Sequence, residues 1–252
     1  MRLRRARAVR RAGAAAVVAL LALPVTAPAQ TGEGFLFRPP PATLSVRLGF
    51  DQPLAQSDVF TQATDELTLR RRDFGSVMIG GDVAARLAPR LDLVLGASFS
   101  GVDQRSEYRD WLDQDDLPIE QTTIFRRVPV TAGVRLYLAP RGRAVGSLAW
   151  IPARLTYYVG AGVGAMWYRF RQSGDWVNLE TLDVYRDRLD SDGWTMVGYG
   201  VAGVEVSLGP RFFLTSEARS TLSNADLGPS YYGFDRIDLS GLALTVGIGI
   251  RQ

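Results

Sequence analysis

The 252-residue chain contains no cysteine, no histidine and no lysine. Without cysteine there is no disulfide, no thiolate chemistry and no lipid-anchored cysteine. Without histidine, serine hydrolysis by the usual triad lacks its base. Long apolar runs are missing as well. The one candidate, residues 14–25, is well short of the ~20 residues a helix needs to cross a bilayer. A chain of this kind can lie in a membrane only as a closed barrel, the other structure that satisfies its backbone in lipid.

That short apolar run follows six arginines (Arg2, Arg4, Arg5, Arg7, Arg10, Arg11) and precedes Ala27-Pro28-Ala29. A positive segment, a short apolar segment and a small-residue site together read as a cleaved signal peptide over residues 1–29, with residues 30–252 as the folded domain. The whole chain carries 29 basic and 26 acidic residues, and every basic one is arginine. Six of those arginines lie in the leader, so the remainder has 23 against 26 and a net charge of −3. The high isoelectric point belongs to the leader, and a nucleic-acid partner loses its footing.

What remains is rich in glycine, aromatics and β-branched residues, with two-residue alternation throughout. Leu44, Val46, Leu48 and Phe50 alternate with Ser45, Arg47 and Gly49; Leu93, Leu95, Ala97 and Phe99 alternate with Asp92, Gly96 and Ser98. Similar runs follow around residues 77–87, 128–138, 157–167, 194–208, 212–221 and 242–250, giving eight strands. Tyr199 and Val201 fall out of phase with Val204, Val206 and Leu208, and a β-bulge near Ala202-Gly203 would reconcile them. Links after the odd strands are long and polar (residues 51–73, 102–120, 171–192 and 222–236). Those after the even strands are mostly short, as in barrels with short periplasmic turns and long outer loops. The exception, residues 139–153 with Trp150, reads as an amphipathic interfacial segment or a simple loop.

Glycines on the polar face (Gly49, Gly133, Gly160, Gly162, Gly164) favour that face as the crowded inner wall, because glycine on a solvent-facing strand gains nothing. Phe50, Phe99, Trp167 and Phe212 near the ends of the apolar faces suit an aromatic girdle. The expected fold is therefore all-β, an eight-stranded antiparallel up-and-down transmembrane barrel. Its interior has room only for side chains. Arg47, Asp82, Arg86, Asp92, Arg127, Arg135, Glu217, Arg219 and Arg251 fall there, with Glu205 if the bulge holds. Charges crowded in low dielectric must pair, so they are expected to form one ion-pair network with Arg135, Glu217 and Arg219 near its middle.

Other motifs carry little. Asp190-Ser191-Asp192-Gly193 resembles part of a calcium loop, but Arg188 replaces the first ligand and Tyr199 stands where the closing Glu belongs. Gly160-x-Gly162-x-Gly164 has the period of a strand face, not of a nucleotide loop. The loop acids Asp110, Asp113, Asp115, Asp116 and Asp187 leave only carboxylate chemistry, and solvated surface is their plainer role. No cofactor, metal or catalytic residue is expected.

Several segments support a family resemblance: residues 125–138 (Phe-Arg-Arg-Val-Pro-Val leading to Gly-Val-Arg-Leu-Tyr-Leu), Tyr158-Val159-Gly160-Ala161-Gly162-Val163-Gly164, Gly203-Val204-Glu205-Val206 and Val246-Gly247-Ile248-Gly249-Ile250. Together they resemble the small OmpA/OmpX/OmpW-type bacterial outer-membrane barrels. The resemblance implies the cell outer membrane after export, contact with outer-membrane lipid and lipopolysaccharide, and insertion by the barrel assembly machinery. Such barrels usually end in an aromatic residue, whereas this chain ends Ile250-Arg251-Gln252. Barrel enzymes of that membrane are similar in using a histidine, which is absent here. The expected role is structural or surface-interacting; the alternative is a narrow pore for small solutes. Oligomeric state is not legible.

Overall fold

The computed structural model describes residues 34–113, 115–146, 148–177 and 183–252. The expected signal peptide, residues 1–29, lies outside them. Eight strands close into one antiparallel barrel: β1 (Ala42–Pro53), β2 (Ser76–Ala88), β3 (Leu91–Leu112), β4 (Pro118–Tyr137), β7 (Leu155–Val177), β8 (Val184–Ser207), β9 (Phe212–Leu222) and β12 (Gly241–Arg251). Each pairs with its neighbour in chain order, and β12 returns to β1 through Leu48↔Val246 and its flanking pairs. Two small hairpins fill the remaining links: β5 (Gly142–Val145) with β6 (Ala149–Pro152), and β10 (Asn224–Ala225) with β11 (Ile237–Asp238).

The polarity is inside out for a water-soluble protein. Along β1, Val46, Leu48 and Phe50 are exposed while Ser45 and Arg47 are buried. Met196 is 79% exposed and Ile248 52%, against 2% for Arg47 and 3% for Glu217. Outward positions in the common eight-stranded span carry no charge among the described residues. An arginine turned to the lipid midplane would cost about 2–4 kcal/mol, and a one-residue slip turns a whole face over.

Four strands are far longer than the rest. β3, β4, β7 and β8 have 22, 20, 23 and 24 residues, whereas β1, β2, β9 and β12 have 11 to 13. Crossing a membrane needs only about 9–11. The long four rise as a wall beyond the barrel rim, by roughly 35 Å of strand at ~3.3 Å per residue. Residues 102–120 and 171–192, expected as loops, are thus largely strand. Their alternating charges pair across strands (Arg171 with Asp190, Arg186 with Asp175), and such pairs stabilise a sheet that buries little apolar surface.

Two further expectations are corrected. Strand β8 has no bulge at Ala202-Gly203: its pairing with β7 and β9 runs without a register shift. Tyr199 and Val201 simply face inward, because the Tyr199 ring lies under the Arg219 guanidinium at 4.4 Å. The ring also needs the space left by Gly162, whose Cβ would stand 2.6 Å from it. Residues 139–153, expected as an amphipathic interfacial segment or a simple loop, contain the β5–β6 hairpin. Its Trp150 is buried and exchanges two backbone hydrogen bonds with Leu36.

Candidate functional site

Many charged side chains converge in the interior of the barrel, which is filled in two storeys. The lower storey is ionic. Arg47 pairs with Asp82 at 2.6 Å and also with Glu217. Arg135 reaches Glu217 at 3.1 Å, Asp82 at 3.4 Å and Glu205 at 3.5 Å. Arg219 lies 3.5 Å from Glu217, and Arg251 3.7 Å from Glu205. Two tyrosines complete the carboxylate shells: Tyr137 donates to Glu205 at 2.8 Å and Tyr158 to Glu217 at 2.7 Å. Ser45 donates to Asp82 at 2.6 Å. Strand alternation places all these groups on the inner face, and the register of β9 between β8 and β12 sets Glu217 beside Gly203 and Thr245.

The expected single network is divided into three. Arg47, Asp82, Arg135, Glu205, Glu217 and Arg219 do come together, joined by Arg251. Arg127 stands apart, 2.6 Å from Asp51 and donating to the Leu239 carbonyl at 2.7 Å. Asp92 pairs instead with Arg141 at 2.7 Å, near the end opposite the wall. Arg86 is only partly buried, and its Nη1 has no hydrogen-bond partner. Arg127 is set apart by its distance of eight positions along β4 from Arg135, whereas Asp92 lies directly opposite Arg135 on the neighbouring strand and turns to Arg141 instead. The expected inward charges omit Asp51 and Arg141. Alternation puts Tyr137 and Tyr158 on the inward face and, with β1 carried one residue further, Asp51 as well, while nothing local marks Arg141, which sits beside the hairpin.

The upper storey is apolar. The link between β1 and β2 folds inward as a helix, Asp58–Glu66, that buries Val59, Phe60 and Ala63. The Phe60 ring packs edge-on against Phe74, Phe125 and Phe170, with centroids 4.9, 5.3 and 5.3 Å away. The link between β9 and β12 adds Tyr231, Ile237 and Leu239 to the same cluster. The two links are clasped: Asp235 N–H donates to Asp58 at 2.8 Å and Asp238 N–H to Ser57 Oγ at 3.1 Å. Between the storeys remains a cavity of about 20 Å³ bordered by Met78, Met166, Val197 and Tyr199, room for roughly one water.

The lumenal glycines are spacers for this packing. A Cβ on Gly203 would collide with the Tyr158 ring and hydroxyl. Gly203→Ala should therefore push Tyr158 off Glu217 and cost about 1–3 kcal/mol. A fall in the urea unfolding midpoint in detergent micelles would register it; an unchanged midpoint would mean that Tyr158 shifts freely.

On the outside, Phe50, Phe99 and Trp167 sit on outward positions toward the rim that carries the wall, and Phe212 begins β9 at the opposite end. Val128, Trp167 and Trp194 share one cross-strand row.

Closed strand pairing, an uncharged apolar belt around the common eight-stranded span and a filled interior define the class: a small β-barrel of the bacterial outer membrane. No family model matches the chain, and no curated protein matches it. Among solved structures it is similar in fold to Neisserial surface protein A, at 10% identity over 84% of this chain and 96% of that one, with a TM-score of 0.46. The outer membrane protein OprG from Pseudomonas aeruginosa gives 13% identity over 86% and 99%, with a TM-score of 0.46. Ail of Yersinia pestis, solved with the heparin analogue sucrose octasulfate, gives 12% over 84% and 99%, with a TM-score of 0.40.

Proposed function

We propose that the chain is a sealed barrel with a structural or surface-interaction role and no catalytic one. It holds its place among outer-membrane lipid and lipopolysaccharide after insertion by the barrel assembly machinery, and presents its protruding wall outward. The observation that carries this reading is the double filling of the lumen. An ionic layer lies below and an aromatic plug above, with about 20 Å³ left between them. That space is too small for a hydrated solute.

The competing reading is a narrow pore for small solutes. Its support is that the upper seal consists of loops, held to each other by a few hydrogen bonds and not by strand pairing. Single-channel recording in a planar bilayer decides between them. The sealed reading expects inserted protein with no conductance steps. Stable steps that change when Arg135 or Glu217 is neutralised would establish a pore instead.

A further inference from the structure

The outer face of the protruding wall carries an arrangement that its own side chains do not balance. Two residues beyond Trp167 on β7 stands Arg169, and directly opposite it on β4 stands Arg126. Like charges facing each other on adjacent strands destabilise a sheet unless something lies between them. The nearby acids do not do this. Asp103 meets Arg126 from the β3 side at 3.4 Å. Asp192 and Asp190 stand 3.7 and 3.9 Å from Arg169, close enough for ion pairing but beyond hydrogen-bond reach, and Arg169 Nε has no hydrogen-bond partner. Asp190 is already engaged by Arg171 at 2.8 Å, with Arg188 at 3.6 Å. Burial disfavours its charge, but the hydrogen bond and charge of Arg171, with Arg169 and Arg188, prevail and hold its carboxyl below the usual range. Over the three cross-strand rows next above the tryptophans, the five arginines Arg105, Arg126, Arg169, Arg171 and Arg188 face only the three acids Asp103, Asp190 and Asp192, whereas the row beyond sets Glu107, Glu120 and Asp175 against Arg186.

Depth selects the partner. The Trp167–Trp194 row closes the apolar belt, and the Arg169 guanidinium lies 5.3 Å from the Trp167 ring centroid. Two residues of strand at ~3.3 Å each, tilted by ~40°, put the opposed arginines roughly 5 Å above that row. This is headgroup depth, where the outer leaflet of such a membrane holds phosphorylated glycolipid. Guanidinium groups bind phosphoryl oxygens through paired, charge-assisted hydrogen bonds.

We propose that Arg126 and Arg169, flanked by Arg171, form a binding site for a phosphoryl group of the outer-leaflet glycolipid. The site rests on the outer-membrane placement of the barrel and not on whether its lumen is sealed.

The test uses the refolded barrel in detergent micelles, with bis-phosphorylated lipid A, its dephosphorylated form and inorganic phosphate as separate probes. Binding is read by native mass spectrometry, and folding by heat-modified gel migration. The phosphorylated lipid should be retained and the dephosphorylated form should not. Arg126→Gln with Arg169→Gln should weaken retention about tenfold or more. Asp192→Asn leaves every arginine in place and should tighten retention, so the test survives a folding failure of the double variant. Equal retention of the dephosphorylated lipid, or a double variant that folds and binds normally, overturns the proposal. Inorganic phosphate held as tightly as the lipid overturns the glycolipid assignment. Conductance of the same preparation is a separate reading: a conducting barrel that retains the lipid defeats the sealed-lumen function alone, and a silent barrel indifferent to phosphate defeats this site alone.

Discussion

Glu217→Gln is expected to destabilise the barrel by about 3–5 kcal/mol, the range for removing one partner from a buried ion pair. Glu217 takes charge-assisted contacts from Arg47, Arg135 and Arg219 and a hydrogen bond from Tyr158. In the lower storey three carboxylates (Asp82, Glu205, Glu217) face four guanidiniums (Arg47, Arg135, Arg219, Arg251), so positive charge is already in excess. Neutralising Glu217 leaves two against four, in a space from which water is nearly excluded. Arg219→Gln changes the balance the other way, to three against three. Its side chain is 14% exposed, against 1% for Glu217, and its loss relieves the excess of positive charge, so a smaller cost than for Glu217→Gln is expected. Urea titration in micelles compares the two. Unequal midpoints at equal slopes support the charge argument; equal midpoints would mean that water, not Glu217, neutralises the arginines.

The sequence was legible where one physical rule acts alone. A lipid exterior forces apolar residues onto every second position, so strand number, facing and the inward charges could be read directly. Legibility fails where a second rule overrides the first. Tyr199 breaks the apolar pattern because its ring serves Arg219 inside the barrel. The tops of β3, β4, β7 and β8 have no apolar face toward lipid and read as loop, although Thr122, Thr123 and the Arg–Asp pairs sustain them as sheet. The helix Asp58–Glu66 has only nine residues and shows its apolar stripe at Val59, Phe60 and Ala63 alone, too little to announce a plug. Arg141 joins Asp92 only because the β5–β6 hairpin folds back, and no local pattern encodes that return.

Phe60→Ala should free the plug while leaving the barrel intact. Phe60 is fully buried among three other phenylalanine rings, and deleting a buried Phe side chain costs about 3–5 kcal/mol. That cost falls on a loop held by its own packing and a few hydrogen bonds, among them those joining Gln56, Ser57 and Asp58 to Asp235 and Asp238, while the paired strands around it do not depend on Phe60. Amide exchange in residues 58–66 should therefore speed up about a hundredfold or more, with exchange in β1 and β12 unchanged. Conductance should still be absent, because the ionic storey beneath remains whole. Glu217→Gln alone should be silent for the converse reason, with the plug still seated above it. The two sites share no partners, so their effects should add, and only the double variant should leak. If Phe60→Ala conducts by itself, the ionic storey is not a seal, and the barrel is a pore whose gate is the loop.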